Sequence, residues 1–133
     1  MNSKQYEGLI KASPEKRYKS FLNTVADEGE IWFLASEEGN ATIEIDGTIY
    51  LLVWPREEFC SSMIYDEDEK AVFMDIYEFL EECRHIDENI EFMVFSTEED
   101  TYVVTRERLI IDILEHLEEV EDLPHDFEYY LNK

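Results

Sequence analysis

Cysteine and glycine are scarce in this sequence, and long apolar runs do not occur. Its 133 residues include two cysteines and four glycines. Two cysteines do not make the dense disulfide framework of small secreted domains, so Cys60 and Cys83 are predicted to be reduced, buried thiols. Four scattered glycines do not build a phosphate-cradling loop. No stretch reaches the roughly 18 apolar residues of a spanning helix, and residues 1–10 lack the pattern of a signal peptide, which predicts a cytoplasmic protein.

Basic side chains are also few, whereas acidic side chains are abundant. The chain has 11 Lys plus Arg residues and 34 Asp plus Glu residues, which gives a formal net charge of -23. A field of this sign repels nucleic-acid phosphates and anionic lipid headgroups, and it attracts cations and basic proteins. Nucleic acid and membrane surfaces are therefore not expected as partners. The acidity is explained either by solubility alone or by a basic protein partner.

Residue patterns that carry catalysis or bind metals are missing from the sequence. No serine lies in a Gly-x-Ser-x-Gly elbow, and there are only three histidines. Cys83 and His85 lack the further ligands of a zinc site, and residues 66–70 (DEDEK) lack the residue order of a calcium loop. The sequence therefore predicts no catalytic residue, no metal and no cofactor.

Apolar periodicity predicts two N-terminal helices followed by strands. In the second helix, Ser13 is the predicted N-cap and Gly29 marks the predicted end. Three segments then have the two-residue period of strands, namely residues 31–36, 41–45 and 48–54. Asp46-Gly47 has the composition of a tight hairpin turn. These strands are predicted to form a three-stranded antiparallel meander.

The step Trp54-Pro55 is predicted to end the last strand of this meander. Proline favours an extended conformation in the residue before it, has no backbone N–H to donate, and fits the first turn of a helix. We therefore expect Trp54 at a strand end with a half-buried indole, followed by a short helix over residues 56–65. A structural role for this tryptophan is favoured over a binding platform.

The rest of the chain alternates strands and helices. An apolar strand is predicted over residues 71–74, a helix after the cap at Asp75, two strands within residues 90–104, and the longest helix from Thr105 to Val120. The fold class is α+β: two N-terminal helices, the meander extended by further strands into a mixed sheet, helices packed on the sheet, and a long C-terminal helix. Residues 1–120 are predicted to form a single domain.

The last residues, 121–133, differ from the predicted domain in composition. They lose the helical period and form an acidic and aromatic C-terminal tail. Such a tail either docks back on the domain or is available to another protein, and docking is favoured.

Several short motifs, taken in order, resemble those of one bacterial family. They are RYKSFLNTV at residues 17–25, IWFL at Trp32, EEGNAT at Gly39 and LLVWP ending at Pro55. Their order is similar to that of the domain of unknown function 2750 family, and the similarity extends to Val120. Where the family tends to have a Gly-Trp pair, this chain has Gly39-Asn40. The resemblance implies a small bacterial cytoplasmic α+β protein, and it carries over no catalytic residue. The positions that match the family motif are Arg17, Tyr18, Phe21, Trp32, Gly39, Trp54 and Pro55.

Arg17 is the motif residue that core packing does not explain. One hypothesis is that it ties the second helix to a carboxylate near the Trp-Pro corner, and this is favoured. The other is that it lines a pocket with Tyr18, Trp32 and Trp54. In that pocket an anionic small molecule pairs with the guanidinium and stacks on an indole.

Two functions of different classes follow from these observations. The favoured function is a non-enzymatic binding protein that recognises a basic protein partner, as an immunity-type inhibitor or a small regulator. Its predicted contact residues are acids and aromatics, namely Asp66, Glu67, Asp68, Glu69, Phe127, Tyr129 and Tyr130. The alternative is a small-molecule binding or enzymatic domain that uses the pocket near Arg17, Trp32 and Trp54.

Overall fold

The computed structural model describes residues 3–87 and 89–120, without the side chain of Val120. The helices in these ranges are α1 (Ser3–Lys11), α2 (Pro14–Glu28), α3 (Glu57–Ser61), α4 (Ile76–Cys83) and α5 (Arg106–Val120). The strands are β1 (Glu30–Ser36), β2 (Gly39–Asn40), β3 (Thr42–Ile45), β4 (Thr48–Val53), β5 (Lys70–Asp75), β6 (Ile90–Val94) and β7 (Tyr102–Thr105). The predicted tail, and with it Phe127, Tyr129 and Tyr130, lies outside the described residues.

These strands form two sheets. Strands β2, β1 and β5 make an antiparallel sheet in this order, and β3, β4, β6 and β7 make a mixed sheet in which β4 and β6 are parallel. The α+β class with a mixed sheet and a C-terminal helix is confirmed. The strands of the predicted meander are divided between the sheets. Gly39, which has a φ of 113°, begins β2, and β2 pairs with β1 over only two residues before β3 begins the second sheet at Thr42.

One backbone bridge joins the two sheets. Trp32 of β1 and Trp54, which follows β4, each donate an N–H bond to the other's carbonyl oxygen at 2.9 Å. The expectation of a half-buried indole at position 54 is wrong, because Trp54 is 0% exposed. Strand β1 of the antiparallel sheet thus lies beside the chain at the end of β4. Pro55 is also buried and precedes α3, so the Trp-Pro step does end one element before the next begins.

Helices α2, α4 and α5 pack against the mixed sheet, whereas α3 packs against β1 and β5. Phe79 of α4 meets Phe92 of β6 at a ring distance of 5.7 Å, and Tyr18 of α2 stacks on Tyr102 of β7 at 4.3 Å. Helix α5 packs against α2, α4, β6 and β7. Apolar burial of this kind is the main favourable term in folding. The predicted apolar stripe of α5 is confirmed as buried at Leu109, Ile110, Ile113, Leu114 and Leu117.

Helix α2 begins and ends as the sequence predicts. The Ser13 side chain accepts a hydrogen bond from the N–H of Lys16 at 3.3 Å, and Pro14 occupies the first turn. Gly29 ends the helix with a φ of 75°, and its N–H donates to the carbonyl oxygen of Val25 at 2.9 Å. Both ends are therefore set by local sequence.

We expect Gly29→Ala to lower the free energy of unfolding by about 1 kcal/mol, because alanine is strained in the left-handed conformation that ends α2. Urea unfolding monitored by circular dichroism measures the change. Gly8→Ala in α1 is the matched control, since nothing lies within 4 Å of the added methyl group. There alanine should raise the free energy of unfolding by about 0.5 kcal/mol. A shift of the same sign in both variants contradicts this assignment of the cap.

Candidate functional site

Arg17 on α2 is buried and bonded to oxygen atoms from two parts of the chain. Only 1% of the residue is exposed. Its Nε donates to the carbonyl oxygen of Phe95 at 3.0 Å, its Nη1 donates to that of Ala12 at 2.6 Å, and its Nη2 forms an ion pair with Asp100. A buried guanidinium is tolerated when its donors are satisfied in this way. Arg17 therefore joins the start of α2 to the loop between β6 and β7.

Trp54 binds the same loop one residue further along. Its indole Nε1 donates to the carbonyl oxygen of Ser96 at 3.0 Å. Phe95 has a φ of 55°, so the loop turns sharply at the point where both side chains hold it. Arg17 and Trp54 thus bind two adjacent carbonyl groups. We call these two side chains and the loop of residues 95–101 the buried tie.

The other two residues of the predicted pocket lie apart from the buried tie. Tyr18 stacks on Tyr102, and its hydroxyl donates to Asp112 at 2.7 Å. Trp32 is half-buried, and its ring lies 5.3 Å from that of Phe73. The structure therefore brings two of the four residues onto one loop, and it directs the other two towards α5 and β5.

A groove of about 340 Å³ borders the loop of the buried tie. Its lining comes from α1, the chain after α3 and the loop itself, namely Tyr6, Ile10, Lys11, Ser62, Met63, Thr97, Glu98 and Glu99. The guanidinium of Arg17 and the indole of Trp54 are bonded to backbone oxygens beneath this loop and do not line the groove. The two side chains therefore hold the loop that forms one wall of the groove, without lining the groove themselves.

The ionisation of Tyr18 makes the stability of the fold depend on pH in the alkaline range. Burial, followed by the hydrogen bond to Asp112, raises the pKa of Tyr18 above its ordinary value of 10.0. The folded chain therefore keeps the phenol proton at pH values where the unfolded chain has lost it. The contribution of this group to stability is complete below pH 10.0 and declines as the pH rises above that value.

We expect Tyr18→Phe to lower the free energy of unfolding by about 1 kcal/mol at neutral pH, because the bond to Asp112 is lost. The variant should also lose less stability than the wild type between about pH 9 and pH 11. Urea unfolding across this range measures both effects. Tyr65→Phe is the control, since Tyr65 is 70% exposed. Parallel pH profiles for wild type and Tyr18→Phe would exclude this role for the phenol.

Acidic residues from two turns meet around a second concavity, which has a volume of about 330 Å³. We call it the acidic hollow, and its lining residues are Ser36, Glu38, Gly39, Asn40, Ala41, Thr42, Asp66, Asp68 and Glu69. The turn between β1 and β2 supplies one carboxylate, and the loop before β5 supplies three. Glu67 lies within that loop and is exposed. Three of the four acids predicted to contact a partner therefore line one surface feature.

Exposed apolar side chains flank the acidic loop along the chain. Tyr65 is 70% exposed, Phe73 is 57% exposed and Val72 is 37% exposed. From the sequence, residues 71–74 are predicted only as an apolar strand, and Phe73 is not singled out as exposed. The available signal was the position of this strand directly after four consecutive acids, which is unusual for a strand covered on both faces.

Metal clusters and reactive thiols are not found in the ranges 3–87 and 89–120. No group of three or more His, Cys, Asp or Glu side chains there is arranged to hold a metal ion. Cys60 and Cys83 are both buried, as predicted. Burial, with a contribution from Glu57 and then Glu69, raises the pKa of Cys60 to about 12. A thiol with this pKa stays protonated at neutral pH and is a poor nucleophile.

The fold and its surface define a small acidic α+β domain. Its buried polar contacts hold a loop in place, and its carboxylates gather at a sheet edge. In the described part of the chain no helix is long and apolar enough to cross a membrane. The chain belongs to the family described as protein of unknown function DUF2750, whose model matches residues 18–113. This confirms the resemblance seen in the sequence. Neither a curated protein nor a solved structure matches the chain.

Proposed function

We propose that this protein is a non-enzymatic, acidic, cytoplasmic binding protein that recognises a basic protein partner, as an immunity-type inhibitor or a small regulator. The observation that carries the proposal is the acidic hollow with exposed aromatic side chains next to it in the chain. Carboxylates speed the encounter with a cationic partner, and apolar side chains that become buried slow its release.

The distribution of charge along the chain supports this proposal. Five of the 11 Lys and Arg residues lie within the first 19 positions, whereas residues 27–75 contain 14 Asp and Glu residues against Arg56 and Lys70. Arg56 is in turn paired with Glu28. The surface around β1 to β5 therefore has a strongly negative field, while the two N-terminal helices do not. A cationic protein is steered towards the first of these surfaces.

The test compares two variants that lose the same amount of charge. The first neutralises the acidic loop with Asp66→Asn, Glu67→Gln, Asp68→Asn and Glu69→Gln. The control neutralises four exposed acids on helices with Glu7→Gln, Glu15→Gln, Glu115→Gln and Glu118→Gln. Each protein is immobilised and exposed to an extract of its source cell at low and at moderate salt, and bound proteins are identified by mass spectrometry.

We expect a basic protein that the wild type and the control variant retain at low salt and that the loop variant loses. Its affinity, measured with purified protein, should fall with rising salt because the contact is between opposite charges. Equal loss in both four-residue variants indicates a general charge effect and contradicts a specific site. The proposal is also overturned if the wild-type protein retains no basic protein.

A further inference from the structure

Strand β5 is the last strand of its sheet, and its outer side has no strand partner within the described residues. It pairs with β1 over six residues, from Glu30 opposite Asp75 to Ala35 opposite Lys70. An unpaired edge of this length presents backbone N–H and C=O groups that another extended chain can bind. Natural sheets usually protect such an edge with proline, a bulge or charged side chains. In β5 the middle of the edge is instead Ala71, Val72 and Phe73.

The hydrogen bonds of β1 determine which backbone groups of β5 point outward. Trp32 uses both its N–H and its C=O to bond Trp54, so its backbone groups face away from β5. Successive residues of an antiparallel pair alternate between the two sides of a strand. Trp32 lies opposite Phe73, so the N–H and C=O of Phe73 also face away from the β1–β5 ladder. Ala71, two residues before Phe73, shares this outward direction.

Side chains on both faces of β5 are open to solvent. Phe73 is 57% exposed on one face, and Val72 is 37% exposed on the other. A strand that pairs with β5 places its own side chains next to both of them, because neighbouring strands lie about 4.8 Å apart. Aromatic side chains that become buried in this way are typical anchors of binding interfaces.

The negative charge near this edge indicates which kind of chain can bind there. Asp66, Glu67, Asp68 and Glu69 come directly before β5 in the chain, so an extended segment that runs beside β5 and past Lys70 lies next to these carboxylates. A second copy of this chain brings a net charge of -23 and is repelled. An extended segment rich in Lys and Arg is attracted instead.

We propose that β5 is the docking edge for the partner: an extended basic segment of a protein adds to the sheet as a strand beside β5 and places its cationic side chains next to the acidic residues 66–69. This inference rests on the proposed function and names the surface and the conformation that recognition uses. The outer edge of β7 offers less negative charge, because Asp100 is paired with Arg17 and Lys11 lies beside Glu98 and Glu99 in the groove.

Hydrogen exchange tests strand addition directly. The probe is a peptide of roughly ten residues with alternating Lys and Val, a pattern that favours an extended strand. Amide exchange is followed by NMR with and without the peptide. We expect the outward amides of Ala71 and Phe73 to exchange at least about tenfold more slowly in the complex, because they become bonded. The same peptide, N-methylated at every residue, has equal charge and no backbone donor, and it should bind about tenfold more weakly.

A pair of proline variants gives an independent test with a matched control. Phe73→Pro removes an N–H that makes no bond to β1, and proline is tolerated at such positions of edge strands. Val103 occupies the equivalent position on β7. The N–H of Phe95 bonds to Val53, so Phe92 and Val94 face β7 and Val103 faces outward. We expect Phe73→Pro to weaken peptide binding about tenfold and Val103→Pro to leave it unchanged.

Phe73→Thr separates the aromatic contact from the backbone contact. It should weaken binding while still showing slower exchange at Ala71 and at position 73. Circular dichroism confirms that each variant is folded before its affinity is compared. If Phe73→Pro does not fold, the exchange measurement on the wild-type chain still decides the matter.

The outcomes distinguish this inference from the proposed function. Salt-sensitive binding that depends on residues 66–69 but leaves the exchange of Ala71 and Phe73 unchanged refutes strand addition and leaves the proposed function standing. Slower exchange at the β7 amide of Val103 instead also refutes the choice of edge. Binding that ignores residues 66–69, or no binding of the basic peptide at low salt, counts against both.

Discussion

Arg17→Met should lower the free energy of unfolding by about 3 kcal/mol. The substitution leaves the carbonyl oxygens of Phe95 and Ala12 without the donors they have in the folded state, and it removes the ion pair with Asp100. Removing one partner of a buried ion pair commonly costs about 3 to 5 kcal/mol. The lower end applies here, because Asp100 has a side chain that is 45% exposed and regains water. Urea or guanidinium unfolding measures the change.

Three further variants test how much of this stability comes from the charge of Arg17 and how much from the geometry of its guanidinium group. Arg17→Lys keeps the charge but loses the planar fork, so it should lose more than half as much stability as Arg17→Met. Asp100→Asn should cost about 1 kcal/mol or less, since the exposed partner contributes less than the buried carbonyl contacts. Arg108→Met removes the ion pair between an exposed guanidinium and Asp112 and should cost at most about 0.5 kcal/mol. If Asp100→Asn is as harmful as Arg17→Met, the ion pair rather than the carbonyl bonds dominates.

Trp54→Ala should cost about 4 kcal/mol, the second large effect expected of a single substitution. The side chain is 0% exposed and lies where the two sheets meet, so its removal leaves a cavity that the backbone bridge to Trp32 prevents from closing. Truncation of buried Trp or Phe to Ala commonly costs about 3 to 5 kcal/mol. Thermal and urea unfolding both report the loss.

Trp54→Phe isolates the indole hydrogen bond from the volume of the ring. Phenylalanine fills most of the site but leaves the carbonyl oxygen of Ser96 without its donor, which costs about 1 to 2 kcal/mol. Trp32→Ala is the comparison at the other end of the bridge, where the half-buried ring should contribute less than that of Trp54. Similar losses for Trp54→Ala and Trp32→Ala would falsify the view that the buried tie depends on Trp54.

Features set by neighbouring residues could be predicted from the sequence. The cap at Ser13, the end of α2 at Gly29 and the hairpin at Asp46-Gly47 all follow local rules. The structure confirms the hairpin with φ values of 51° and 87° at its two turn residues. The helix and strand periods likewise gave the α+β class, because amphipathic spacing reports which face of an element is buried.

Features that depend on distant partners could not be predicted. Arg17 pairs with Asp100, 83 residues later, and nothing in the sequence distinguishes this carboxylate from the many others as the partner. The pairing of β1 with β5 joins segments about 40 residues apart, and Trp54 is buried through contacts with Trp32 and Ser96, which are also distant in the chain. The apolar run of β5 has the composition of a covered strand; the acids before it argue against that, and the sheet order establishes that it is an edge.

The distance along the chain between Arg17 and the loop it holds has a consequence for synthesis on the ribosome. Ala12, which accepts one bond from the arginine, is made before it, but the Phe95 carbonyl and the Asp100 carboxylate that also bind it are made 78 and 83 residues later. Until that loop leaves the exit tunnel, the N-terminal helices of the nascent chain have a solvated arginine in place of a buried one. Native burial of Arg17 therefore follows the synthesis of the loop at residues 95–101 and cannot accompany the formation of α2 alone.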